Sequence, residues 1–261
     1  FENSTYLNKW SRNLPSTKKE NCYLNFIASH DGIGIRPTEG LLNEKTLNNF
    51  LKRLKKNGSK FSYRKVQNKI KKVYEANITV FDALKKSDYD QKGEFYLERY
   101  ISAHAIMISF EGIPAIYFNS MFGTSNDEAK FIITGNNRDV NRYRWNLKNI
   151  SNKLKDNNTK QSIFYNKLCS LLNIRRKQKA FHPNAQRLNL NFGSKIYGFK
   201  RISKDKKQII ICITNLSSKP QKTKIGKNSG KIRNLLGSKI NIENKKFLIL
   251  KPFETVWLSN N

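Results

Sequence analysis

The pattern of apolar positions divides the first part of the chain into buried strands and helices. Residues 22–31, CYLNFIASHD, are apolar on both faces, which is typical of a covered strand in a parallel sheet. Residues 38–56 carry leucines and a phenylalanine at helical spacing, and Asn57-Gly58 ends the predicted helix. Residues 59–76 are basic and weakly patterned, and we expect an irregular surface segment there.

A second strand and two further helices are predicted next. Residues 94–110 are apolar almost all round, which indicates a buried helix that a Gly-Ile-Pro turn ends. Residues 114–120 then have the composition of a second buried strand. The polar residues 121–145 predict a long loop, and a loop of that length in a compact domain is usually functional. Helical spacing returns over residues 153–180.

The pattern changes after residue 183. Short apolar runs follow one another, separated by turns rich in Gly, Asn, Ser and Lys. Regularly spaced short strands predict a small all-β antiparallel sandwich over residues 184–261. The alternation of strands and helices before it is typical of an α/β domain, which we expect over residues 1–183.

A large positive charge complicates this picture. The 261 residues include 50 Lys and Arg against 19 Asp and Glu, so the formal net charge is +31. A basic nucleic-acid-binding protein is therefore the alternative from a different functional class. The basic residues are spread along the whole chain and accompany frequent Asn and Ile, which favours compositional drift over a specific nucleic-acid surface. Sequence-independent binding to polyanions is expected in either case.

The cysteines and the apolar stretches limit the cellular context. Cys22, Cys169 and Cys212 lie far apart, with no CxxC pair and no histidine at metal-ligand spacing. We expect reduced thiols in a cytoplasmic protein, and neither a metal nor another cofactor. The apolar residues 100–118 are interrupted by ionisable residues and a proline, so a buried helix and strand explain them better than a membrane span.

Ionisable residues stand where the strand predicted at residues 22–31 ends. His30 and Asp31 follow the apolar run, and Gly32 comes next, where glycine allows a sharp turn or a close approach. Polar side chains at the end of a buried strand are typical of an active-site rim and fit the top of a (β/α)8 barrel. Asp31 could instead only cap its turn, and His30 could be a satisfied core histidine.

Motifs in a fixed order resemble the sucrose phosphorylase-like subgroup of glycoside hydrolase family 13, the α-amylase superfamily. They are NFIASHDGIG, FSYRK followed by YEANITVFDAL, SAHAIMISFEGIPAIYF, MFGTSND and NNRDVNR. The resemblance implies the C-terminal portion of a (β/α)8 barrel followed by a small all-β sandwich. Strand seven would lie near residues 22–31, strand eight near residues 114–120, and an acceptor-loop excursion would occupy residues 32–93.

The resemblance also implies which catalytic groups this chain holds. Family members transfer a glucosyl unit with retention, using a carboxylate nucleophile and a carboxylic acid on barrel strands four and five. The chain resembles the family from just before strand seven and begins with Phe1. We therefore expect a piece of a longer protein that lacks both groups and is inactive alone. Asp31 matches the superfamily's third acidic residue, which stabilises the transition state.

The same resemblance implies the substrate-binding residues. His30 would donate to a hydroxyl of the donor sugar, and Arg138 would contact that sugar or its carboxylate neighbours. Arg36, Tyr63 and Arg64 fall in the acceptor loops, where cations suit phosphate or an anionic acceptor. The alternatives are a solvated basic loop for the acceptor residues and, for Arg138, a purely structural pairing with a nearby aspartate.

The sequence therefore predicts part of a retaining α-glucosyl phosphorylase, a hexosyltransferase. Its partners would be inorganic phosphate and an α-glucoside such as sucrose, glucosylglycerate or sucrose 6-phosphate, with α-glucose 1-phosphate as the product. A hydrolase or transglucosylase of the same superfamily is the alternative enzyme. No membrane and no specific nucleic acid are expected as partners, and the acceptor and the oligomeric state stay open.

Overall fold

The structure is a computed structural model that describes residues 1–18, 21–65, 71–225, 232–244 and 246–260. Within these residues the α-helices are α1 (Thr5–Arg12), α2 (Glu44–Lys56), α3 (Val80–Leu84), α4 (Tyr96–Ser109), α5 (Phe118–Met121), α6 (Glu128–Thr134), α7 (Leu147–Lys155) and α8 (Lys160–Arg176). The strands are β1 (Leu24–Asn25), β2 (Ile33–Gly34), β3 (Lys60–Lys65), β4 (Lys71–Asn77), β5 (Ile113–Pro114), β6 (Gln186–Leu190), β7 (Ile196–Ile202), β8 (Ile209–Asn215), β9 (Gln221–Lys224), β10 (Arg233–Asn234), β11 (Asn241–Glu243), β12 (Phe247–Leu250) and β13 (Thr255–Ser259).

The chain forms two compact units that interleave in sequence. Unit 1 consists of Phe1, Phe26–Tyr100 and Ile116–Leu168. Unit 2 consists of Glu2–Asn25, Ile101–Ala115 and Cys169–Asn261. The sequence-based division into residues 1–183 and 184–261 stays a prediction.

Unit 1 contains a three-stranded antiparallel sheet in the order β2-β4-β3. Ala76 of the central strand pairs with Ile33 on one side and with Phe61 on the other. The helix α2 packs on this sheet through Leu54, which shares a buried apolar cluster with Ala76. The sheet thereby fixes the end of β4 beside the segment that follows residue 31.

Unit 2 contains a short parallel pair and two antiparallel sheets. β1 pairs with β5 in parallel, Leu24 opposite Ile113. The larger sheet has the order β10-β13-β8-β7-β6 and the smaller one the order β11-β12-β9. One buried cluster draws Ile213 and Val256 from the larger sheet and Leu248 from the smaller one. The two sheets therefore pack face to face, as strands with one apolar face require.

Several predicted elements agree with the structure. The buried helix predicted over residues 94–110 is α4, and the runs predicted as strands after residue 183 correspond to β6, β7, β8, β10, β12 and β13. The pattern missed β9 and β11, whose sequences QKTK and NIE carry almost no apolar residues. Within the described part of the chain, none of the helices combines the length and the apolar character that a membrane crossing needs.

Three predictions in the segment before α4 were wrong. The buried strand predicted over residues 22–31 is extended only at Leu24–Asn25, where β1 pairs with β5 alone among the described strands, and Leu24 is 63% exposed. Residues 59–76 do not form an irregular segment, since β3 and β4 occupy most of it. No clear strand pattern is visible in the sequence there because polar and charged residues occupy much of both strands. The helix predicted from residue 38 begins at Glu44 instead, where the Asn43 side chain accepts from the backbone N–H of Thr46 at 2.9 Å and caps it.

Two predictions after α4 were also wrong. Only the first residue of the strand predicted at residues 114–120 is extended in β5, and α5 forms the end of that stretch. The helix predicted over residues 153–180 is two helices, α7 and α8, with a turn between them. Asp156 accepts from the backbone N–H of Asn158 at 2.9 Å in this turn, and Thr159 accepts from that of Ser162 at 3.2 Å. Such local side-chain bonds favour turns and caps over a continuous helix.

Candidate active site

His30 and Asp31 form the tip of a tight turn in unit 1. Ser29 and Gly32 flank the pair, and their backbones exchange two hydrogen bonds of 3.0 and 3.1 Å. The backbone N–H of Asp31 also donates to Ser29 Oγ at 3.2 Å. The turn therefore holds both ionisable residues in one defined place instead of on a mobile loop.

Gly32 allows this turn to lie directly against β4. Its φ is +113°, a value that residues other than glycine rarely adopt. A Cβ added to Gly32 would lie 2.2 Å from the carbonyl oxygen of Ala76. The amide of Asn77 donates to the carbonyl oxygen of Asp31 at 2.8 Å. The glycine that follows the His-Asp pair is thus needed for a close approach of two backbones.

The Asp31 carboxylate lies among three nitrogen-bearing side chains. Its Oδ1 is 2.7 Å from Arg142 Nη2, 3.2 Å from His30 Nε2 and 3.4 Å from Arg138 Nε. The Asp31 side chain is about one quarter exposed. Within the described residues, none of the ion pairs or side-chain hydrogen bonds reaches Oδ2, so the carboxylate is held through one oxygen.

Arg138 connects Asp31 to a second carboxylate. Its Nε and Nη2 donate to the two oxygens of Glu75 at 3.0 and 3.2 Å. Glu75 is buried in β4, and Asn77 also donates to it, at 3.0 Å. The hydrogen bond with Glu75 raises the pKa of Arg138; burial opposes this, and the charges of Glu75 and Asp31 add to it. Arg138 therefore does not pair with a neighbouring aspartate only to hold its own loop.

A tyrosine and two asparagines complete the surroundings of the turn. The side-chain amide of Asn141 donates to the backbone carbonyl oxygen of Ser29 at 2.6 Å. The backbone carbonyl oxygen of Asn141 accepts from the Tyr117 hydroxyl at 3.0 Å. Burial raises the pKa of Tyr117; the Asn119 amide and the Arg142 charge oppose the shift. The ring of Tyr117 lies 6.5 Å from that of His30, between centroids.

Two of the predicted acceptor residues, Arg36 and Arg64, lie in a second charged group around Glu39. Arg64 of β3 donates to Glu39 at 2.7 Å. This hydrogen bond lowers the pKa of Glu39; burial opposes it, and the charges of Arg64, Arg36 and Lys72 add to it. Tyr63 also lies on β3, with 55% of its surface exposed. Within the described residues, no hydrogen bond or ion pair joins this group to Asp31.

The structure thus brings together three of the predicted site residues, His30, Asp31 and Arg138. The sequence had not indicated Glu75 or Arg142. The NNRDVNR motif did hold a signal for Arg142, since it lies four residues after Arg138 and carries the same side chain. Glu75 lies in the YEANITVFDAL motif, but nothing in the sequence distinguished it there, because its partner is 63 residues away in the chain.

Relatives of known activity match almost the whole chain. A glucosylglycerate phosphorylase from Escherichia coli strain K12 is 32% identical over 260 residues, which are 98% of this chain and 45% of that relative. The homologues of this chain are glucosylglycerate and sucrose phosphorylases. The resemblance inferred from the motifs is therefore confirmed, although no family model matches the chain.

Further comparisons give the same resemblance. A glucosylglycerate phosphorylase from Spirochaeta thermophila is 29% identical over 82% of this chain and 36% of that relative. The sucrose 6F-phosphate phosphorylase of Thermoanaerobacter thermosaccharolyticum has a similar fold, with a TM-score of 0.66 and 21% identity over 82% of this chain and 40% of that one. The chain spans less than half the length of these relatives.

Proposed function

We propose that this chain supplies part of the donor-sugar site of a retaining α-glucosyl phosphorylase. The observation that carries the proposal is Asp31 Oδ1, which Arg142 holds at 2.7 Å while His30 and Arg138 lie within 3.4 Å. A carboxylate held in this way accepts strong hydrogen bonds from sugar hydroxyls and opposes positive charge that develops on the sugar. Asp31 is the transition-state stabiliser, and His30 and Arg138 bind the donor sugar.

The proposed reaction divides the chemistry between this chain and the rest of a longer protein. In the first step, a carboxylate outside this chain bonds to C1 of the glucosyl unit. The bond from C1 to the leaving oxygen breaks, and an acid outside this chain protonates that oxygen. A phosphate oxygen then displaces the carboxylate from C1, the deprotonated acid takes the proton of the incoming phosphate, and the product is α-glucose 1-phosphate. Asp31 acts in both steps, because positive charge develops on the ring in each of them.

The finer description of the fold belongs to the same proposal. Residues 1–183 form the C-terminal part of a (β/α)8 barrel, and residues 184–261 form a β-sandwich domain. The parallel pairing of β1 with β5 supports the assignment of these strands as neighbours in such a barrel. The apolar cluster shared by the two antiparallel sheets supports the sandwich.

An anionic acceptor fits the second charged group. The pKa of one carboxylate, that of Glu39, is lowered by three positive charges, those of Arg64, Arg36 and Lys72. Positive charges therefore outnumber negative charges in this group. Relatives from two bacteria are glucosylglycerate phosphorylases, and glycerate carries a carboxylate. We assign Arg36, Tyr63 and Arg64 to the acceptor site, with glucosylglycerate and inorganic phosphate as the substrates.

The thiols are consistent with a cytoplasmic enzyme. Cys22 is exposed, Cys169 is half-buried and Cys212 is buried, and none of the three is in a disulfide. Unpaired thiols are typical of a reducing compartment, so a cytoplasmic location is part of the proposal.

The test measures α-glucose 1-phosphate in the longer protein that contains this chain. We expect its formation from glucosylglycerate only when phosphate is present. Sucrose in place of glucosylglycerate tests the acceptor assignment, and the chain alone should give no product. Glucose release without phosphate would contradict phosphorolysis and support a hydrolase instead, while a new glucoside formed with an added sugar would support a transglucosylase.

A further inference from the structure

Arg138 lies between two carboxylates, and the proposed reaction uses only one of them. Its Nε is 3.0 Å from Glu75 Oε2 and 3.4 Å from Asp31 Oδ1. Arg138 makes two bonds to Glu75, one to each carboxylate oxygen, and such bidentate pairing is strong for a guanidinium and a carboxylate. The orientation of Arg138 toward Asp31 is therefore set by Glu75 more than by Asp31 itself.

Glu75 is held firmly enough for such a role. Only 8% of its surface is exposed, and its backbone is paired with Gly34 in the register of the sheet. Asn77 donates one bond to Glu75 at 3.0 Å and another to the carbonyl oxygen of Asp31 at 2.8 Å. One fully buried amide thus links the glutamate and the turn that carries Asp31.

The charges around Asp31 balance only when Glu75 is counted. Arg138 and Arg142 bring two positive charges, and Asp31 and Glu75 bring two negative charges. Without the charge of Glu75 the group would carry one net positive charge. A net positive charge disfavours an oxocarbenium-like transition state and attracts an incoming anion such as phosphate.

We propose that Glu75 is a positioning residue that fixes Arg138 against Asp31 and keeps this group neutral. In that position it favours rapid glucosyl transfer over tight binding of phosphate. The inference rests on the proposed function, because it assumes that Asp31 faces the sugar on which positive charge develops.

The test compares Glu75→Gln and Glu75→Asp with the unaltered sequence in the longer protein that contains this chain. Glu75→Gln keeps the shape of the side chain and removes its charge. We expect kcat to fall about 10-fold to 100-fold, as for a misplaced binding group, and the KM for phosphate to fall about twofold to fivefold. Glu75→Asp retains the charge, so its KM for phosphate should return to the value of the unaltered protein.

Matched controls separate this role from a structural one. Glu44→Gln makes the same chemical change at an exposed position in α2 and should leave kcat and KM unchanged. Thermal unfolding reports whether each variant is folded. If Glu75→Gln lowers kcat but leaves the KM for phosphate unchanged, or Glu75→Asp behaves as Glu75→Gln does, the charge-balance role is overturned. Absence of phosphorolysis in the unaltered protein would instead overturn the proposed function, and this inference with it.

Discussion

Asp31 owes its position to residues that are distant in sequence. Arg142, at 2.7 Å, is 111 residues further along the chain, and Asn77, which holds the backbone of the turn, is 46 residues away. The carboxylate is anchored through Oδ1, so its other oxygen keeps its capacity to accept. In the proposed function, this side chain holds sugar hydroxyls and opposes positive charge from the position that these contacts set.

Asp31→Asn tests this role directly. The amide has the same shape but carries no charge, so it should lose the electrostatic part of the transition-state stabilisation. We expect kcat of phosphorolysis in the longer protein to fall about 10²-fold to 10³-fold. Asp156→Asn, at an exposed turn between α7 and α8, is the matched control and should leave kcat unchanged. A fall of less than tenfold for Asp31→Asn would contradict the assignment.

Gly32→Ala tests the close approach of the turn to β4. The new Cβ would meet the carbonyl oxygen of Ala76 at 2.2 Å, in addition to the strain of a positive φ. We expect the free energy of unfolding of the chain in urea to fall by about 3 kcal/mol or more. Gly40→Ala is the control, because Gly40 also has a positive φ but nothing lies within 4 Å of its added Cβ. Equal losses for the two variants would show that the steric contact is unimportant.

The sequence predicted the part of the site that has a local signal. His30 and Asp31 end an apolar run, and Arg138 lies in a polar motif, so pattern and resemblance were enough to select them. Glu75 and Arg142 were missed because their importance comes from tertiary contacts. Pairings over 63 and 111 residues leave no periodicity that one sequence can reveal.

Among the elements, α4 follows a segment that one acidic residue, Asp90, holds in place. Asp90 accepts from the backbone N–H groups of Gly93, Glu94 and Phe95 at 2.8 to 3.0 Å and from Arg99 at 2.5 Å. Its side chain is almost fully buried. This carboxylate binds the three backbone N–H groups just before the helix and also neutralises a buried guanidinium of the helix, so the entry into α4 depends on one charge.

Asp90→Ala should therefore be strongly destabilising. We expect a loss of about 3–5 kcal/mol in the free energy of unfolding of the chain, because Arg99 is buried and would lose its carboxylate. Urea denaturation measures the loss, and Glu98→Ala at an exposed position of the same helix should change the same quantity by less than about 1 kcal/mol. A loss for Asp90→Ala as small as that of the control would contradict the importance of this cap.

The same carboxylate predicts a dependence on pH. Burial would raise the pKa of Asp90, but the bonds from the backbone N–H groups of Phe95 and Glu94 and from Arg99 outweigh it and lower the pKa below 3.8. The stabilisation is then complete above pH 4 and is lost as the pH falls through the lowered pKa. We expect the stability difference between the unaltered chain and Asp90→Asn, measured in urea, to shrink below pH 4. A difference that stays constant down to pH 2 would contradict this.

Helices and strands were predicted correctly where buried apolar residues follow one period. The predictions failed where local side-chain hydrogen bonds determine where an element ends. α4 and the strands of the sandwich were predicted because their apolar residues follow one period. The turn between α7 and α8 was missed because side-chain bonds from Asp156 and Thr159 end one helix and start the next. β3 and β4 were missed because polar side chains occupy much of both strands.

At the scale of the whole molecule, the net charge of +31 is the dominant property. If the charge reflects composition and not a specific surface, the chain should bind DNA duplexes of different sequence with the same affinity. We expect that affinity to fall about 10³-fold or more between 50 and 200 mM salt, which fluorescence anisotropy can measure. Sequence-selective binding that persists at 200 mM salt would support the nucleic-acid alternative.

The unequal environments of the thiols offer a practical use. Burial raises the pKa of Cys212 to about 12, so this sulfur stays protonated and unreactive at neutral pH. Cys22 is exposed and lies two residues before β1, whose Leu24 is also exposed. A maleimide fluorophore would therefore react preferentially at Cys22. Its emission would then report whether another polypeptide binds beside β1.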